Sequence, residues 1–395
     1  MDFEFTDEQK QLRKEVRQFL EKEIAPIADE RDAKGALSRQ ELVGYIKMLM
    51  PFGYYNGMMP EEFGGKGYSN TTMAMLIEEL SRVWSGLSAA IWIASTLNGM
   101  VAALPVFRKK YLERVMAGEL ISCGAITEPD AGSNAAAMRT TIVRKGDHWV
   151  LNGNKTWISD GSVADVLNVL AIADPGDGTM GSAMAIVERA TTPFEHRELH
   201  KIGWRAFPTA ELFFKDCRVP DDHVLSGTIS SGGDGRSRTA YEAMMADFEK
   251  ARSTMAVLGV GVCQAAVDAT IDYVKKREQF GRPIGGFQMI QEMVADMIMD
   301  TDAARFLTYR AWQRIDEGKR ARLESSIAKA YACEAAVRVA SRAVEIHGAM
   351  GIDENHSIHR YLRDARSLPI PDGTTQIQKL VIGREALGIR AFHQE

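Results

Sequence analysis

Residues 140–159 read TTIVRKGDHWVLNGNKTWIS, and this stretch decides the fold class. It breaks into short runs rich in β-branched and aromatic residues, which favour β-strands. The runs are separated by Gly146-Asp147 and Asn152-Gly153, dipeptides that are typical of tight hairpin turns. Comparable short runs, parted by Gly, Asn and Asp, occupy residues 121–226. The middle of the chain is therefore predicted to be a β-domain.

The sequence on both sides of this β-domain has the apolar spacing of helices. In residues 1–120, Thr6 can cap a first helix, and Asn70 or Thr71 can open a second. A Gly/Ser-rich linker is predicted at 227–239, before a helical region over 240–395. Four long helices are predicted in that last region: Tyr241–Glu278, Gln288–Glu317, Arg320–His347 and Thr374–Gly388. The predicted fold class is thus α+β, with a helical domain, a β-domain and a C-terminal helical bundle.

Composition and charge exclude several classes of protein. Of the 395 residues, 45% are hydrophobic and 26% are charged, as in a globular chain rather than a disordered one. A net charge of −5 argues against a general nucleic-acid binder, because phosphate binding needs a basic face. The four cysteines form no CxxC pair, so neither a disulfide framework nor a zinc site is expected. The charged N-terminus lacks the apolar core of a signal peptide, so a cytoplasmic location is expected.

Other familiar signatures are weak or missing. Residues 83–107 carry no charged side chain and are long enough to cross a bilayer, but their Ser, Thr, Asn, Gly and Pro residues favour buried helices, so no membrane span is expected. The sequence has no Walker P-loop and no G-x-S-x-G motif, and the glycines at 259 and 261 lack the third glycine of a dinucleotide fingerprint. His356 and His359 have no further ligands nearby, so no metal site is predicted.

Four segments carry residues suited to binding or catalysis. Residues 126–133 (ITEPDAGS) offer hydroxyls and exposed amides at the end of a strand, and residues 155–159 (KTWIS) place a tryptophan beside a hydroxyl. Residues 277–284 (REQFGRPI) end a helix with two guanidinium groups, which suit a pyrophosphate. Residues 371–378 (PDGTTQIQ) put a carboxylate before a Gly turn and a helix start, with Thr374 as the cap. Taken singly, each segment also has a structural explanation, as a turn, a core tryptophan or a helix end.

In their order along the chain, these segments resemble the acyl-CoA dehydrogenase family. The resemblance covers nearly the whole chain, through TDEQKQLRKEVRQF, PEEFGGKG, ITEPDAGSN, LNGNKTWIS, KKREQFGRPI, HGAMGI and GTTQIQKLVIGRE. It implies a helical N-terminal domain, a β-barrel-like middle domain and a C-terminal four-helix bundle, assembled as a homotetramer. It also implies FAD as the cofactor, an acyl-CoA substrate and an electron-transfer flavoprotein as the electron acceptor.

The resemblance also implies roles for individual residues. Asp372 falls at the position of the family's catalytic base, which removes the α-proton of an acyl thioester while hydride leaves the β-carbon for the flavin. Its backbone N–H, with a flavin ribityl hydroxyl, would hold the thioester oxygen. The substrate positions are Ser133, Arg252 and Gly373. The cofactor positions are Ile126, Thr127, Ser133, Trp157, Ser159, Arg277, Gln279, Phe280, Gln288, Glu345, Gly348, Thr374 and Gln376, of which Arg277, Gln279 and Phe280 would reach the cofactor of a neighbouring subunit.

Three departures from the family pattern bear on the substrate. The base is usually Glu, and Asp372 is one methylene shorter; the residue before it, Pro371, replaces a large aromatic. Glu345 puts an acid where an amide often meets the adenosine end of the flavin. Some branches carry the base just before the Arg252 position instead, but that residue is Ala251 here. Asp372 is therefore the best candidate for the base.

The leading hypothesis is an FAD-dependent acyl-CoA dehydrogenase for a short, branched or alicyclic acyl group, such as cyclohexane-1-carboxyl-CoA. Alternatives within the class are a glutaryl-CoA-like or carrier-protein-linked dehydrogenase and an enoyl-CoA reductase. An alternative from another class is a catalytically idle, flavin-binding protein with an interaction or nucleic-acid-associated role. Asp372 and the absence of a basic tail count against that last reading.

Overall fold

The N-terminal region is built from six helices. A computed structural model describes residues 4–176, 181–226, 228–230, 237–389 and 391. The helices are α1 (Asp7–Phe19), α2 (Ala25–Ala33), α3 (Arg39–Leu49), α4 (Asn70–Ala94), α5 (Asn98–Ala103) and α6 (Pro105–Met116), with a wider π-helical turn, Leu20–Ile24, between the first two. Thr6 caps α1 as predicted: its hydroxyl accepts from the Gln9 N–H at 3.2 Å, and the Gln9 side chain accepts from the Thr6 N–H at 3.0 Å.

α4 begins at Asn70, one of the two residues predicted to open it. Ser69, and not Asn70 or Thr71, is the N-cap, because its side chain accepts from the Thr72 N–H at 3.1 Å. The backbone N–H groups of Asn70 and Thr71 donate instead to the Asp316 carboxylate from the C-terminal domain, at 2.7 and 2.9 Å. A carboxylate at a helix N-terminus also meets the positive end of the helix dipole. Because Asp316 is far from Asn70 and Thr71 in the sequence, a local sequence pattern does not predict this contact.

The charge-free residues 83–107 lie in α4, α5 and the start of α6. By length and composition, the α4–α5 segment and a later helix, Ala240–Lys276, are apolar enough to cross a membrane, and the rest of the described chain buries more than half of the most apolar part of each. Buried core helices pass the same test. Trp84, within α4, is fully buried and has non-helical angles, φ −153° and ψ 91°, so this long helix is kinked there.

The middle region is an eight-stranded sheet. Its strands are β1 (Ser122–Ala125), β2 (Thr141–Lys145), β3 (His148–Ser159), β4 (Val166–Asp174), β5 (Gly181–Glu188), β6 (Glu195–Glu198), β7 (Thr209–Pro220) and β8 (Val224–Ser226). Their order is β6-β7-β3-β2-β4-β5-β8. Two strands are parallel to β4 on the same side, β1 along its first half and β2 along its second. The sheet therefore brings the end of β1 close to β3.

Of the two predicted hairpin turns, one is confirmed and one is wrong. Gly146-Asp147 is the turn between β2 and β3, with Gly146 at φ +65°. Asn152-Gly153 lies inside β3, where the pairing with β7 slips between Leu151 and Gly153. Gly153 has φ +150° and passes so close to Thr140 that a Cβ would collide with that residue. The glycine thus marks a β-bulge with a close backbone approach rather than a turn.

The C-terminal region is a helical bundle. In the predicted linker, β9 (Thr228–Ser230) and β10 (Ser237–Thr239) pair antiparallel, while residues 227 and 231–236 lie outside the described residues. The elements that follow are α7 (Ala240–Lys276), the hairpin strands β11 (Glu278–Gln279) and β12 (Arg282–Pro283), and the helices α8 (Gln288–Asp316), α9 (Arg322–His347), α10 (Ile358–Ser367) and α11 (Thr375–Leu387). The four predicted long helices correspond to α7, α8, α9 and α11. The short α10 was missed because Arg360 and Asp364, both polar, occupy its buried face.

Candidate active site

Asp372 lies in a tight turn immediately before α11. It is partly buried, and its backbone is in the left-handed region at φ +54°, followed by Gly373 at φ +87°. A Cβ at Gly373 would lie 2.7 Å from Gln378 Nε2, so both the conformation and the space require glycine there. Thr374 caps α11 as predicted, accepting from the Ile377 N–H at 3.3 Å. The turn thus presents the carboxylate from a fixed backbone.

Two buried side chains, those of Lys329 and Gln378, hold this turn by donating hydrogen bonds to its backbone carbonyls. Lys329 of α9 donates from Nζ to the carbonyl of Gly373 at 2.6 Å and to that of Pro369 at 3.2 Å. Gln378 donates from Nε2 to the carbonyls of Asp372 at 3.0 Å and Gly373 at 2.8 Å. Lys329 and Gln378 were not singled out from the sequence. A lysine in a helical run and a glutamine in a predicted helix carry no local sign that they face a turn.

Burial and neighbouring charges act on the Asp372 carboxyl in opposite directions. Desolvation raises its pKa, and the positive charges of Lys329 and Arg252 offset part of that rise. Arg252, on α7, is partly buried; its guanidinium lies 5.7 Å from the Phe248 ring, and its Nε has no hydrogen-bond partner among the described residues. Burial lowers the pKa of Arg252, and Asp372 is the largest opposing influence. The predicted base and the predicted substrate arginine therefore interact.

A second group of predicted residues lies in the middle domain. Ile126 and Thr127 follow β1, and the carbonyl of Thr127 accepts from the Thr156 N–H at 2.9 Å. Lys155, fully buried, donates to the carbonyl of Ile126 at 2.9 Å and to the Glu128 carboxylate at 2.8 Å. These contacts join segments 126–133 and 155–159 into one unit. Lys155 and Glu128 are buried residues in the predicted motifs, but no binding role was predicted for either.

Trp157 is the most unusual residue of this unit. Its side chain is 59% exposed, and its backbone has φ +60° at a second slip in the β3–β7 pairing, between Lys155 and Ile158. Ser159, two residues on, is partly buried, and Ser133 lies exposed in the turn after Thr127. A bulge re-aims a side chain that would otherwise alternate with the strand. The large indole is thereby presented at the surface beside the end of β1.

The hairpin after α7 carries a third group. Arg277 ends α7, Gln279 is in β11, and Phe280 sits at the tip with φ +52° and 92% exposure. Phe280 meets Phe287 edge-on, with ring centroids 6.0 Å apart. Gln288 is the exposed first residue of α8. The guanidinium of Arg277 forms no ion pair with any residue that the structure describes.

The remaining predicted cofactor positions lie at the end of α9 and the start of α11. Glu345, near the end of α9, is exposed and pairs with Arg342 at 3.1 Å. Gly348 ends α9 at φ +58°, and Gln376 is exposed in the first turn of α11. Within the described residues of one chain, no hydrogen bond or ion pair connects Glu345 or the hairpin to the Asp372 turn or to the Trp157 unit.

The donor sets of these groups fit FAD. The exposed indole of Trp157 offers an aromatic face, and unpaired Arg277 offers a cation for a pyrophosphate. Arg282, on the same hairpin, stacks on Phe287 with its guanidinium 4.2 Å from the ring centroid. No cluster of three or more metal-ligating side chains was found among the residues described, and the four cysteines are buried and free.

Comparison with known proteins identifies the family. Models of the acyl-CoA dehydrogenase N-terminal, middle and C-terminal domains match residues 6–119, 123–217 and 241–387. A glutaryl-CoA dehydrogenase from Desulfococcus multivorans is 36% identical, over 99% of both chains. A cyclohex-1-ene-1-carbonyl-CoA dehydrogenase from Syntrophus aciditrophicus is also 36% identical, over 97% of this chain and 91% of its own length.

The architecture agrees with these matches. The solved structure of a glutaryl-CoA dehydrogenase in complex with glutaryl-CoA is 34% identical, with a TM-score of 0.89 over 100% of this chain and 99% of that one. FAD is the cofactor of this family. The chain belongs to the acyl-CoA dehydrogenase family, as a flavin-dependent oxidoreductase with the family's three-domain fold.

Proposed function

We propose that this chain dehydrogenates a short, branched or alicyclic acyl-CoA, such as cyclohexane-1-carboxyl-CoA, to the 2-enoyl-CoA, with Asp372 as the base. The observation that carries the proposal is the Asp372 turn. A carboxyl group there combines a fixed backbone, a desolvated environment and two neighbouring cations. Carboxylates with such perturbed surroundings are typical of catalytic sites.

The reaction divides between the protein and the cofactor. The Asp372 carboxylate takes the α-proton of the thioester, and desolvation makes it a stronger base for this weak carbon acid. FAD, when bound, accepts the hydride from the β-carbon. We assign to the Asp372 backbone N–H the binding of the thioester oxygen, where negative charge develops as the proton leaves. Arg252 is assigned to the CoA thioester beside the base.

The cofactor assignments follow the groups described above. We assign the ring system of the flavin to Ile126, Thr127, Trp157 and Ser159, with Ser133 between cofactor and substrate. Thr374 and Gln376 are assigned to the flavin from the start of α11. The pyrophosphate and adenosine end is assigned to Arg277, Gln279 and Phe280 of a neighbouring subunit, and Gln288, Glu345 and Gly348 are assigned to the cofactor as well. The exposure of Phe280 supports this, since an isolated chain leaves that ring 92% in solvent.

The local sequence supports a compact acyl group. The shorter side chain of Asp372 withdraws the carboxylate by about 1.5 Å, one C–C bond, relative to glutamate. Pro371 is small where the family usually has a large aromatic. Both changes leave room beside the α-carbon for a ring or a branch. We assign residues 83–107 to the wall of the acyl pocket. They contain no lysine or arginine that could pair with a distal carboxylate, which disfavours glutaryl-CoA.

Assembly and electron transfer complete the proposal. An apolar groove between α7 and α8, lined by Ile271, Val274, Ile290, Val294 and Ile298, is open to solvent in the single chain. We propose that α7 and α8 pack against other subunits in a homotetramer. We propose an electron-transfer flavoprotein as the electron acceptor, on the basis of the family alone.

An anaerobic titration tests the substrate and the base together. The purified holoenzyme is mixed with cyclohexane-1-carboxyl-, 2-methylbutyryl-, butyryl-, hexanoyl- and glutaryl-CoA, and bleaching of the flavin absorption is followed. We expect the cyclic or branched esters to reduce the flavin fastest. Asp372→Asn should bind the esters but lose flavin reduction at least 1,000-fold, and Asp372→Glu should shift preference towards butyryl- and hexanoyl-CoA.

Each alternative has its own outcome in this experiment. Preferential bleaching by glutaryl-CoA would replace the proposed substrate with a dicarboxylic one. Slow bleaching by every saturated ester, with fast reoxidation of the reduced enzyme by the matching enoyl-CoA, would indicate a reductase. An Asp372→Asn variant with wild-type bleaching rates would exclude Asp372 as the base.

A further inference from the structure

Lys329 is a buried charged residue to which the proposed reaction assigns no role. It lies in the interior of α9, with 1% exposure, among fully buried alanines of the bundle core. Lysine is seldom buried to this degree unless its ammonium group is fully paired. The two carbonyls that accept from its Nζ belong to Pro369 and Gly373, which bracket Asp372 on either side. Within the described residues, both hydrogen bonds of this cation are therefore made to the turn that carries the proposed base.

The turn needs such support. A non-glycine residue in the left-handed region is disfavoured, and it persists when the surrounding structure holds it there. Lys329 reaches the turn from α9, while Gln378 reaches it from α11, and both donate to the carbonyl of Gly373. Two independent helices thus fix the same peptide group. Of the two tethers, only Lys329 also brings a positive charge.

We propose that Lys329 is a positioning residue for Asp372: it locks the turn through the Pro369 and Gly373 carbonyls and so holds a positive charge beside the residue that these carbonyls flank. This inference rests on the proposed function, because it requires Asp372 to be the base. Lys329 is not placed in contact with substrate or cofactor. Its effect passes through the backbone on which Asp372 is mounted and through its charge.

The charges around the turn set the sign of the expected effect. Asp372 faces Lys329 from α9 and Arg252 from α7, and both cations lower a pKa that burial raises. Burial lowers the pKa of Lys329. Cys333 and Glu334 on its own helix and Asp372 raise this pKa, and Arg252 lowers it. Burial lowers the pKa of Arg252. Asp372 and Glu249 raise this pKa, and Arg322 and Arg384 lower it. Removing the Lys329 charge leaves only Arg252 to offset desolvation, so the pKa of Asp372 must rise further.

The test compares a variant that removes one tether together with its positive charge and a variant that removes the other tether without changing any charge. Lys329→Met keeps the length of the side chain but removes both the donors and the charge. Gln378→Leu removes the other tether and no charge. Lys201→Met is the matched control, because Lys201 is a partly buried lysine whose Nζ donates to the Phe207 carbonyl at 2.8 Å in the middle domain.

Two readouts are measured from pH 5 to 9 on each holoenzyme. The first is the single-turnover rate of flavin reduction by cyclohexane-1-carboxyl-CoA and butyryl-CoA. The second is solvent deuterium uptake at the α-carbon of those esters by the reduced enzyme, which reports proton transfer alone. For Lys329→Met we expect both rates to fall at least tenfold at pH 6, with the rising limb of each profile displaced upward by about one pH unit. Gln378→Leu should lower both rates without displacing the limb, and Lys201→Met should match wild type.

Every outcome decides the inference. If Lys329→Met does not fold, Lys329→Gln, which keeps a donor but has no charge, must show the same displacement. The inference is overturned if the rising limb of the pH–rate profile of the Lys329 variant that folds is not displaced from that of wild type. It is also overturned if that variant only lowers both rates equally at every pH, as Gln378→Leu is expected to do. Asp372→Asn, measured in parallel, distinguishes a failure of the proposed base from a failure of the positioning role of Lys329. If it retains both activities, the proposed base and this inference fail together; if it loses them while the Lys329 variant is undisplaced, the inference alone fails.

Discussion

Six non-glycine residues of the described chain have a positive φ, and three of them, Trp157, Phe280 and Asp372, are residues assigned to the cofactor or the reaction. Each costs conformational energy that the fold must supply elsewhere, of order 1–3 kcal/mol. For Asp372 the compensation comes from Lys329 and Gln378, and for Trp157 it comes from the hydrogen bonds of Lys155 and Thr156 on the same strand. The concentration of strained backbone at these positions is an independent reason to regard them as functional.

Asp160 is another of the six, and its backbone is held as well: its N–H donates to the Pro208 carbonyl and its carbonyl accepts from the Ala164 N–H, both at 2.8 Å. It is fully buried, and neither carboxyl oxygen has a hydrogen-bond partner among the residues that the structure describes. Burial, reinforced by Glu198, raises its pKa well above the ordinary value, against a smaller opposing influence of Lys201. A group whose folded pKa is raised is stable in its protonated form. The contribution of the Asp160 carboxyl to the free energy of unfolding is fully present below its unfolded pKa of about 3.9. That contribution is lost as the pH rises through the folded pKa.

Asp160→Asn should therefore stabilise the protein increasingly as the pH rises from 5 to 8, by about 1–2 kcal/mol at the upper end. Asparagine tolerates the left-handed backbone at this position and carries no charge to bury. The measurement is urea unfolding of both holoenzymes at several pH values. Asp222→Asn, at an exposed position, is the control and should follow wild type at every pH. A constant difference between Asp160→Asn and wild type would mean that the pKa of Asp160 in the folded state lies below this range, so that the carboxyl is ionised in both states throughout.

At the scale of elements, local patterns predicted most of the secondary structure, and the exceptions share one cause. Thr6 and Thr374 cap the helices that they were predicted to cap, because capping depends on a few adjacent residues. The N-cap of α4, Ser69, was not identified, and α10 was missed. In both cases a partner far along the chain contributes: Asp316 at α4, and at α10 Asp29, which pairs with Arg360, and the Trp204 N–H, which donates to Asp364.

The candidate site shows the same division. The four segments were recognisable from residue type, order and resemblance, and the structure joins Ile126–Thr127 to the Trp157 strand and Arg252 to Asp372. Lys329, Gln378, Lys155 and Glu128 were not recognised as supports. Their importance comes from backbone carbonyls and amides of other segments, and a sequence pattern does not reveal which backbone groups will be left in need of a partner.

Gly153 tests the reading of β3 as a bulged strand. A Cβ added there would lie 2.7 Å from the Thr140 Cβ and 2.8 Å from its Cα, at a φ of +150° that alanine disfavours. We expect Gly153→Ala to destabilise the protein by about 2–3 kcal/mol, through both overpacking and backbone strain. Gly44→Ala is the matched control: Gly44 is inside α3 with open space around it, and alanine should stabilise the helix there by about 0.5–1 kcal/mol. Chemical denaturation of the two variants measures both effects, and equal stabilities would contradict the bulge.

At the scale of the whole molecule, the N-terminal and C-terminal domains meet across buried ion pairs. Glu78 and Glu79 of α4 are both almost completely buried. Glu78 accepts from Arg305 of α8 at 3.1 Å and from the Tyr309 hydroxyl at 2.8 Å. Arg13 of α1 lies between the two acids, at 3.4 Å from Glu78 and 2.6 Å from Glu79. These contacts help to set the position of the bundle, and hence of the Asp372 turn, relative to the helices expected to line the acyl pocket.

Glu79 is the member of this network whose removal is most informative. Its carboxylate accepts from Arg17 at 2.7 Å as well as from Arg13, while burial opposes its ionisation. The arginines outweigh burial and lower its pKa, so its contribution is present above its unfolded pKa of about 4.3 and is lost as the pH falls through the lower folded value.

Glu79→Gln leaves Arg17 without its counter-charge and Arg13 with only the 3.4 Å contact to Glu78, and it should cost about 3 kcal/mol at pH 7. The difference from wild type should shrink as the pH approaches 3, because the wild-type carboxylate is then itself being neutralised. Glu30→Gln is the control: Glu30 pairs with Lys34 on an exposed helix face, so its loss should leave the unfolding transition unchanged. Unfolding curves of the three proteins at pH 7, 5 and 3.5 check the prediction. A cost for Glu79→Gln that stays constant across that range would show that packing of the side chain, rather than its charge, stabilises this contact between α1 and α4.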